Sequence, residues 1–356
     1  MSGPSLACPH FGTCGGCASL DVPYPEQVRL KRETLENLFE REVPFEPSPD
    51  VTYYRNRMDF SFGGGSAGLF KKGRWNQVVD LESCLLMSPD AIPTLRYTRE
   101  RADRLGLPDF DRRRQTGFLR YLVLREGKNT GERMASLITA EGFDPSPLCE
   151  ALSSERRLDS VVWQVNDGKA DLSRGTIRRV WGHDRISESF GGVRVSFLPN
   201  SFLQPNSRAA ALLYRDLRAL VPTGSKLLDL YCGVGSIGIA VQDRCEKVTG
   251  VDLDPDNIAA ARSNSARVEF IQADAGQAEL SGFDFLVVDP PRAGLHPKLA
   301  KRIAAEGPPR MVYVSCNPEA LKRDVALLGY RLQSLRGFDF CPHTRHIEAL
   351  AELQRG

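Results

Sequence analysis

The sequence predicts an α/β protein in two parts, an antiparallel β-rich domain followed by a Rossmann-like domain of alternating strands and helices. Three observations predict it. The chain has 356 residues, more than one hydrophobic core usually serves. From Val51 to about Pro199, short apolar–polar alternations stand between turn signals, as in half-buried antiparallel strands. After Pro199, continuous apolar runs alternate with helical stretches, the pattern of a parallel sheet covered on both faces.

A net charge of +2 is too small to announce a nucleic-acid partner by itself, so any basic surface must be local. Nine cysteines without an export signal predict a reducing, cytoplasmic setting. Leu6-Ala-Cys8 resembles a lipoprotein cleavage site but lacks the charged start and apolar run that export needs. No stretch approaches the ~18 consecutive apolar residues of a spanning helix, so no membrane partner is expected.

Cys8, Cys14 and Cys17 lie close together among Gly12, Gly15 and Gly16, which let the backbone fold tightly enough for the thiols to converge. Cys84 is the nearest further thiol. Four thiolates suit either a structural zinc or an iron–sulfur cluster, and the spacing does not choose between them. Ser19 to Glu42 reads as an amphipathic helix, and the proline-rich stretch Pro44 to Pro49 ends it.

In the β-rich part, strands are expected at 58–62, 76–80, 121–124, 160–165 and 193–197, with a helical insertion near 89–104. Arg55, Arg57, Lys71, Lys72, Arg74, Arg112, Arg113, Arg114, Arg120 and Arg125 collect there, interleaved with Tyr53, Tyr54, Phe118 and Tyr121. Such mixing suits phosphate contact with base stacking.

Beyond Pro199, Asn206 and Ser207 are caps for a helix over 209–220. Lys226–Tyr231 is a buried strand running into Cys232-Gly233-Val-Gly235-Ser236-Ile-Gly238 and a helix. A second strand ends on Asp252, about 20 residues on, where an acid takes ribose hydroxyls. The Asp-x-x-x-Gly-x-Gly opening resembles the nucleoside-binding loop of S-adenosylmethionine (AdoMet) methyltransferases more than a dinucleotide site. A third strand leads to Asp274, a fourth to Asp289-Pro-Pro-Arg292, and a fifth delivers Cys316 to the sheet's rim. Ligands bind just beyond the carboxyl ends of such strands, so Cys316 is the candidate nucleophile. Near the chain end, Glu348 with His343 and His346 offers a general base.

Taken together these motifs resemble the iron–sulfur RNA uracil-C5 methyltransferases. The cysteine quartet, Tyr53-Tyr-Arg-Asn-Arg57, Gly117-Phe-Leu-Arg120, Phe202-Leu-Gln-Pro-Asn206, Asp289-Pro-Pro-Arg292, Ser315-Cys-Asn-Pro318 and His343-Thr-Arg-His-Ile-Glu348 match in order along nearly the whole chain. The resemblance implies a 4Fe-4S cluster on Cys8, Cys14, Cys17 and Cys84, with Cys316 as nucleophile and Glu348 as base. It places Gln204, Tyr231, Gly233, Gly235, Ser236, Asp252, Asp274 and Asp289 around AdoMet. It also implies a discontinuous iron–sulfur, RNA-binding domain over residues 1–19 and 51–200, a helix of 20–50 docking on the catalytic domain, and a methyltransferase domain over 201–356.

Family members often begin with a small β-barrel, which this chain lacks before its first cysteine. On that ground 23S rRNA is the first expected substrate and the T-loop uridine of tRNA the second. A monomeric enzyme is expected. Two competing readings are a cytosine-C5 methyltransferase, whose thiol sits in Pro-Cys or Thr-Cys rather than Ser-Cys-Asn-Pro, and a non-catalytic iron–sulfur RNA-binding module.

Overall fold

A computed structural model describes residues 6–356. They divide into two compact units. One holds the described residues up to Asp21 with Asp50–Glu188 and Leu198–Asn200; the other holds Val22–Pro49, Ser189–Phe197 and Ser201–Gly356. In chain order the elements are α1 (Tyr24–Phe39), β1 (Phe45–Glu46), β2 (Arg57–Gly63), β3 (Ser66–Lys71), β4 (Arg74–Asp80), α2 (Ala91–Arg104), β5 (Leu119–Glu126), β6 (Arg133–Thr139), α3 (Ser146–Glu155), β7 (Ser160–Val165) and β8 (Thr176–Gly182). There follow β9 (Ile186–Phe190), β10 (Val193–Phe197), α4 (Ser207–Leu220), β11 (Lys226–Leu230), α5 (Ser236–Val241), β12 (Lys247–Asp252), α6 (Pro255–Asn264), β13 (Glu269–Gln272), β14 (Phe285–Val288), α7 (Pro297–Glu306), β15 (Arg310–Ser315), α8 (Pro318–Leu328), β16 (Tyr330–Phe338) and β17 (Glu348–Arg355). Among the described residues no helix is long and apolar enough to cross a membrane.

The first unit is built on a seven-stranded sheet in the order β4-β3-β2-β5-β6-β7-β8. Period-2 alternation divides β5 between two faces. Leu122 and Leu124 join the core formed with α2 and α3, while Tyr121 and Val123 pack on the opposite side with Ile138. One pair departs from the expected antiparallel pattern: β6 and β7 are parallel. The reason is α3, which fills the connection between them, because parallel neighbours need a long crossover.

Three of the arginines expected to face RNA are instead buried. Arg112 donates to the carbonyls of Phe62 and Arg120 and to Asp171. Arg120 donates to the carbonyls of Asn166, Gly168 and Ala170. Arg125 reaches the carbonyls of Leu198 and Pro199. Phe118, Tyr54 and Tyr121 are buried with them. A guanidinium carries five donors in a fixed fork, so it can gather loop carbonyls that would otherwise be orphaned. Lys71, Lys72, Arg74, Arg113 and Arg114 remain at the surface with Tyr53.

The second unit contains an eight-stranded sheet in the order β1-β16-β17-β15-β14-β11-β12-β13. Its segment β15-β14-β11-β12-β13 is parallel throughout. The chain runs outward from β11 through β12 to β13, then returns to β14 on the other side, so a topological switch point lies between β11 and β14. Such a point opens a crevice at the strands' carboxyl ends. Beyond β15 the pattern reverses, with β17 antiparallel to both β15 and β16. Leu228, Leu286, Met311 and Leu353 are fully buried in its core.

Candidate active site

The antiparallel insertion of β17 aligns the two proposed chemical groups. Ser315 pairs with Ala349 at the end of the β15–β17 ladder. One step outward on each strand stand Cys316 and Glu348, so residues far apart in sequence meet at one rim. Cys316 is exposed and opens into a cleft of about 680 Å³, whereas Glu348 is buried.

Although Cys316 opens to the cleft, the protein packed around its sulfur strips away part of its water and pushes the thiol up to about 11, with the nearby Glu348 and Asp289 carboxylates adding to the rise and Arg292 opposing it. Burial also raises the Glu348 carboxyl well above its ordinary range, with Asp289 as the second cause. Asp289 itself is raised to about 7 by burial, offset by a hydrogen bond that Gln204 Nε2 donates to its Oδ2 at 3.0 Å. Two carboxyls crowded into one dry site cannot both ionise cheaply. Glu348 Oε1 has no partner among the described residues.

The other expected cofactor residues gather at the carboxyl ends of β11 to β14. Tyr231 leaves β11 at φ 65°, a left-handed conformation uncommon for a bulky side chain. Gly235 follows at φ 84°, and a Cβ there would lie 2.5 Å from the Phe270 ring. Asp252 Oδ2 accepts from the Gly233 amide at 2.9 Å, tying β12 to the glycine loop. Asp274 caps the turn after β13 by accepting from the Gly276 amide at 2.7 Å. Ser236 is placed differently from its neighbours, since its hydroxyl is bound to buried Tyr214 Oη at 2.9 Å.

Sequence reading missed the residues that hold these loops. Asp324 on α8 accepts at Oδ2 from Tyr313 Oη and from the Leu295 amide, both at 2.7 Å. Arg323 reaches the Ala293 carbonyl, and Asn317 Nδ2 the Arg292 carbonyl, so α8 pins the Asp289–Leu295 turn. A signal was present, because Asp324 shares the buried face of α8 with Ala320, Leu321 and Leu328. From α1, Gln27 Oε1 accepts from the His343 amide at 2.8 Å, and Lys31 Nζ donates to Asp339 Oδ1 and to the Cys341 carbonyl. Both contacts brace the segment leading to Glu348.

In the first unit, Cys8, Cys14, Cys17 and Cys84 line a single cavity with Leu20, Leu69 and Leu81. The segment carrying them is stitched to the β3–β4 hairpin, with the Gly15 amide donating to the Phe70 carbonyl and the Lys72 amide to Thr13. The Gly16 amide donates to Cys14 Sγ at 3.3 Å, and the Leu86 and Met87 amides bond Cys84. Burial and mutual repulsion push the Cys17 thiol up to about 12. The donor set fits an iron–sulfur cluster in chemistry and in N–H···S bonding. Among the described residues, no group of three or more His, Cys, Asp or Glu closes on the position of a single ion.

A Rossmann-like sheet with its glycine loop at the switch point and an added antiparallel strand is the fold of an AdoMet-type methyltransferase. Residues 269–355 match the family described as tRNA (Uracil-5-)-methyltransferase, and residues 227–306 match a general methyltransferase domain. The chain is 39% identical to a tRNA (uracil(54)-C(5))-methyltransferase of Pyrococcus furiosus, over 98% of this chain and 85% of that one. It is 33% identical to a 23S rRNA (uracil(747)-C(5))-methyltransferase of Pyrococcus abyssi, over 98% and 85%. The crystal structure of the Pyrococcus abyssi tRNA (uracil-54, C5)-methyltransferase with S-adenosyl-L-homocysteine superposes with a TM-score of 0.85, at 37% identity over 96% of this chain and 86% of that one. The chain belongs to the RNA uracil-C5 methyltransferases.

Proposed function

We propose that the enzyme methylates C5 of a uracil in tRNA, at the T-loop uridine, through a covalent adduct on Cys316. The observation that carries this reading is the β15–β17 register, which sets Cys316 and Glu348 side by side at the strand ends. The choice of RNA reverses the order expected from the sequence, because the tRNA enzyme is the more similar of the two named relatives, at 39% against 33% identity.

Uracil C5 is a weak nucleophile until a group adds at C6. Cys316 as thiolate forms the S–C6 bond, and the electron pair of the C5–C6 double bond moves out to make C5 enolate-like. AdoMet supplies the methyl group to C5 and departs as S-adenosylhomocysteine. Glu348 as carboxylate then takes the C5 proton, the double bond re-forms, and the S–C6 bond breaks to return the thiolate. Gln204, Tyr231, Gly233, Gly235, Ser236, Asp252, Asp274 and Asp289 hold AdoMet in this reading, with Ser236 contributing chiefly through its backbone.

The cysteine quartet would hold a 4Fe-4S cluster. Such a cluster would cross-link the N-terminal segment to the loop after β4, where Cys84 lies, and so would stiffen the β3–β4 hairpin. That hairpin presents Lys71, Lys72, Arg74 and Trp75 to solvent, a basic and aromatic surface suited to RNA.

The deciding experiment incubates anaerobically purified enzyme and labelled AdoMet separately with tRNA and with 23S rRNA loop transcripts, then analyses the digested nucleosides. Label in 5-methyluridine from tRNA is expected. Label in 5-methylcytidine would overturn the reaction, and label only from the rRNA transcript would overturn the substrate.

A further inference from the structure

The cleft at Cys316 is open and lined by both polar and apolar residues, unlike the enclosed apolar pockets that take small molecules. Two of its lining residues are arginines, Arg292 after β14 and Arg345 before β17. Both are exposed, and among the described residues neither guanidinium has a carboxylate partner. Three other arginines of the unit are committed: Arg310 pairs with Glu352, Arg336 with Asp216 and Arg218 with Asp243.

The backbones carrying the two free guanidiniums are nevertheless pinned. Asn317 Nδ2 donates to the Arg292 carbonyl at 3.0 Å, and Arg323 to the next carbonyl at 2.7 Å. Around Arg345, Thr344 Oγ1 donates to the Cys341 carbonyl at 2.7 Å and accepts from the His346 amide at 3.2 Å. Unpaired cations on a rigid base are pre-organised for an anion that arrives from outside. The N-terminus of the eleven-residue α8 opens on the same cleft, and Asn317 makes no side-chain cap there, its amide being turned to Arg292. One acid, Glu319, also lines the cleft, but it is exposed and its charge is screened by solvent.

We infer that Arg292 and Arg345 form a two-point clamp for the RNA phosphodiesters flanking the uridine presented to Cys316. A guanidinium fork matches two phosphate oxygens in a way that a lone ammonium does not. Gripping the backbone on both sides of one nucleotide holds that base out of its stack, which otherwise costs a few kcal/mol to maintain. The assignment rests on reading Cys316 as the group that receives the base.

The test measures tRNA-transcript affinity over a series of salt concentrations for wild type, Arg292→Ala, Arg345→Ala and the double variant, with AdoMet affinity as the check on folding. Each phosphate contact to a single strand contributes about 0.7 to the slope of log K against log salt. Each single variant should therefore lose about 0.7 of slope and the double variant about 1.4, with AdoMet affinity unchanged. Arg345→Lys should keep the slope while raising KM for RNA, because the charge stays and the fork is lost. Unchanged slopes in variants of an enzyme whose wild type methylates the transcript would overturn the clamp alone. A wild type that neither binds nor methylates it overturns the functional reading together with the clamp.

Discussion

Lys31 Nζ lies 2.7 Å from Asp339 Oδ1, and both side chains are buried. The pair joins α1, which lies in sequence between the two main segments of the first unit, to the segment that ends at Glu348. Lys31→Met leaves Asp339 charged and unpaired in the interior, a change that costs about 3–5 kcal/mol. Lys31→Met combined with Asp339→Leu removes both charges and should regain most of that loss. Denaturant unfolding of the single and double variants checks this. Equal losses in the two would mean that the pair contributes packing rather than charge compensation.

The two chemical groups should separate the reaction into halves. Cys316→Ala is expected to bind AdoMet normally and to form neither adduct nor product. Glu348→Gln should form the adduct and methylate it but release it slowly, by a factor of about 10²–10⁴. Denaturing gels of enzyme mixed with labelled RNA would reveal the trapped species. Turnover by Cys316→Ala would remove it as nucleophile, and a Glu348→Gln enzyme free of adduct would remove Glu348 as the base.

Because the Cys316 thiol is pushed up to about 11, with partial desolvation and the Glu348 and Asp289 carboxylates raising it and Arg292 opposing them, little of it is ionised at neutral pH. Its thiolate fraction therefore rises about tenfold per pH unit below that value. Single-turnover adduct formation should follow the same slope from about pH 6 to about 9. A flat profile would mean that the bound base or AdoMet draws the proton off beforehand.

Asp289 carries the opposite sign for stability. Its folded carboxyl is raised to about 7 by burial, so the folded state binds the proton more tightly than the unfolded chain does. The associated stability is complete below the unfolded value of about 3.9 and is lost as pH climbs to about 7. Without ligands, Asp289→Asn should melt higher than wild type at about pH 8, and the gap should close near about pH 4. Methylation should fall in the same variant, since Gln204 loses its charged acceptor. Melting curves that stay parallel across this range would count against a strained carboxyl.

The cysteine quartet gives a prediction of its own. Cys84→Ser should lose iron and acid-labile sulfide, and hydrogen exchange should rise where the Cys14 segment meets the β3–β4 hairpin. Full iron content in that variant would exclude Cys84 from the donor set.

Much of the methyltransferase unit was legible because parallel strands buried on both faces read as unbroken apolar runs. The strand ending on Asp252 and the run delivering Cys316 are of this kind. The β-rich unit was less legible. Lys71 and Arg120 look alike in a sequence, yet one is solvated and the other gathers three carbonyls in the interior. No base-reading residue in the sequence separates rRNA from tRNA, so the order of substrates came from relatives.

By itself the sequence determined the local chemistry: the glycine loop, the Asn-Pro that follows Cys316 just past the end of β15, the four thiols, and the helix cap at Asn206, each set within a few residues. Only the tertiary structure decided which distant groups act together. That Glu348 stands beside Cys316 follows from an antiparallel register. That Lys31 and Gln27 brace the segment leading to Glu348 follows from α1 packing across it. Caps, turns and strand breakers act over a few neighbouring residues, whereas strand order, register and burial depend on how the whole chain closes its core.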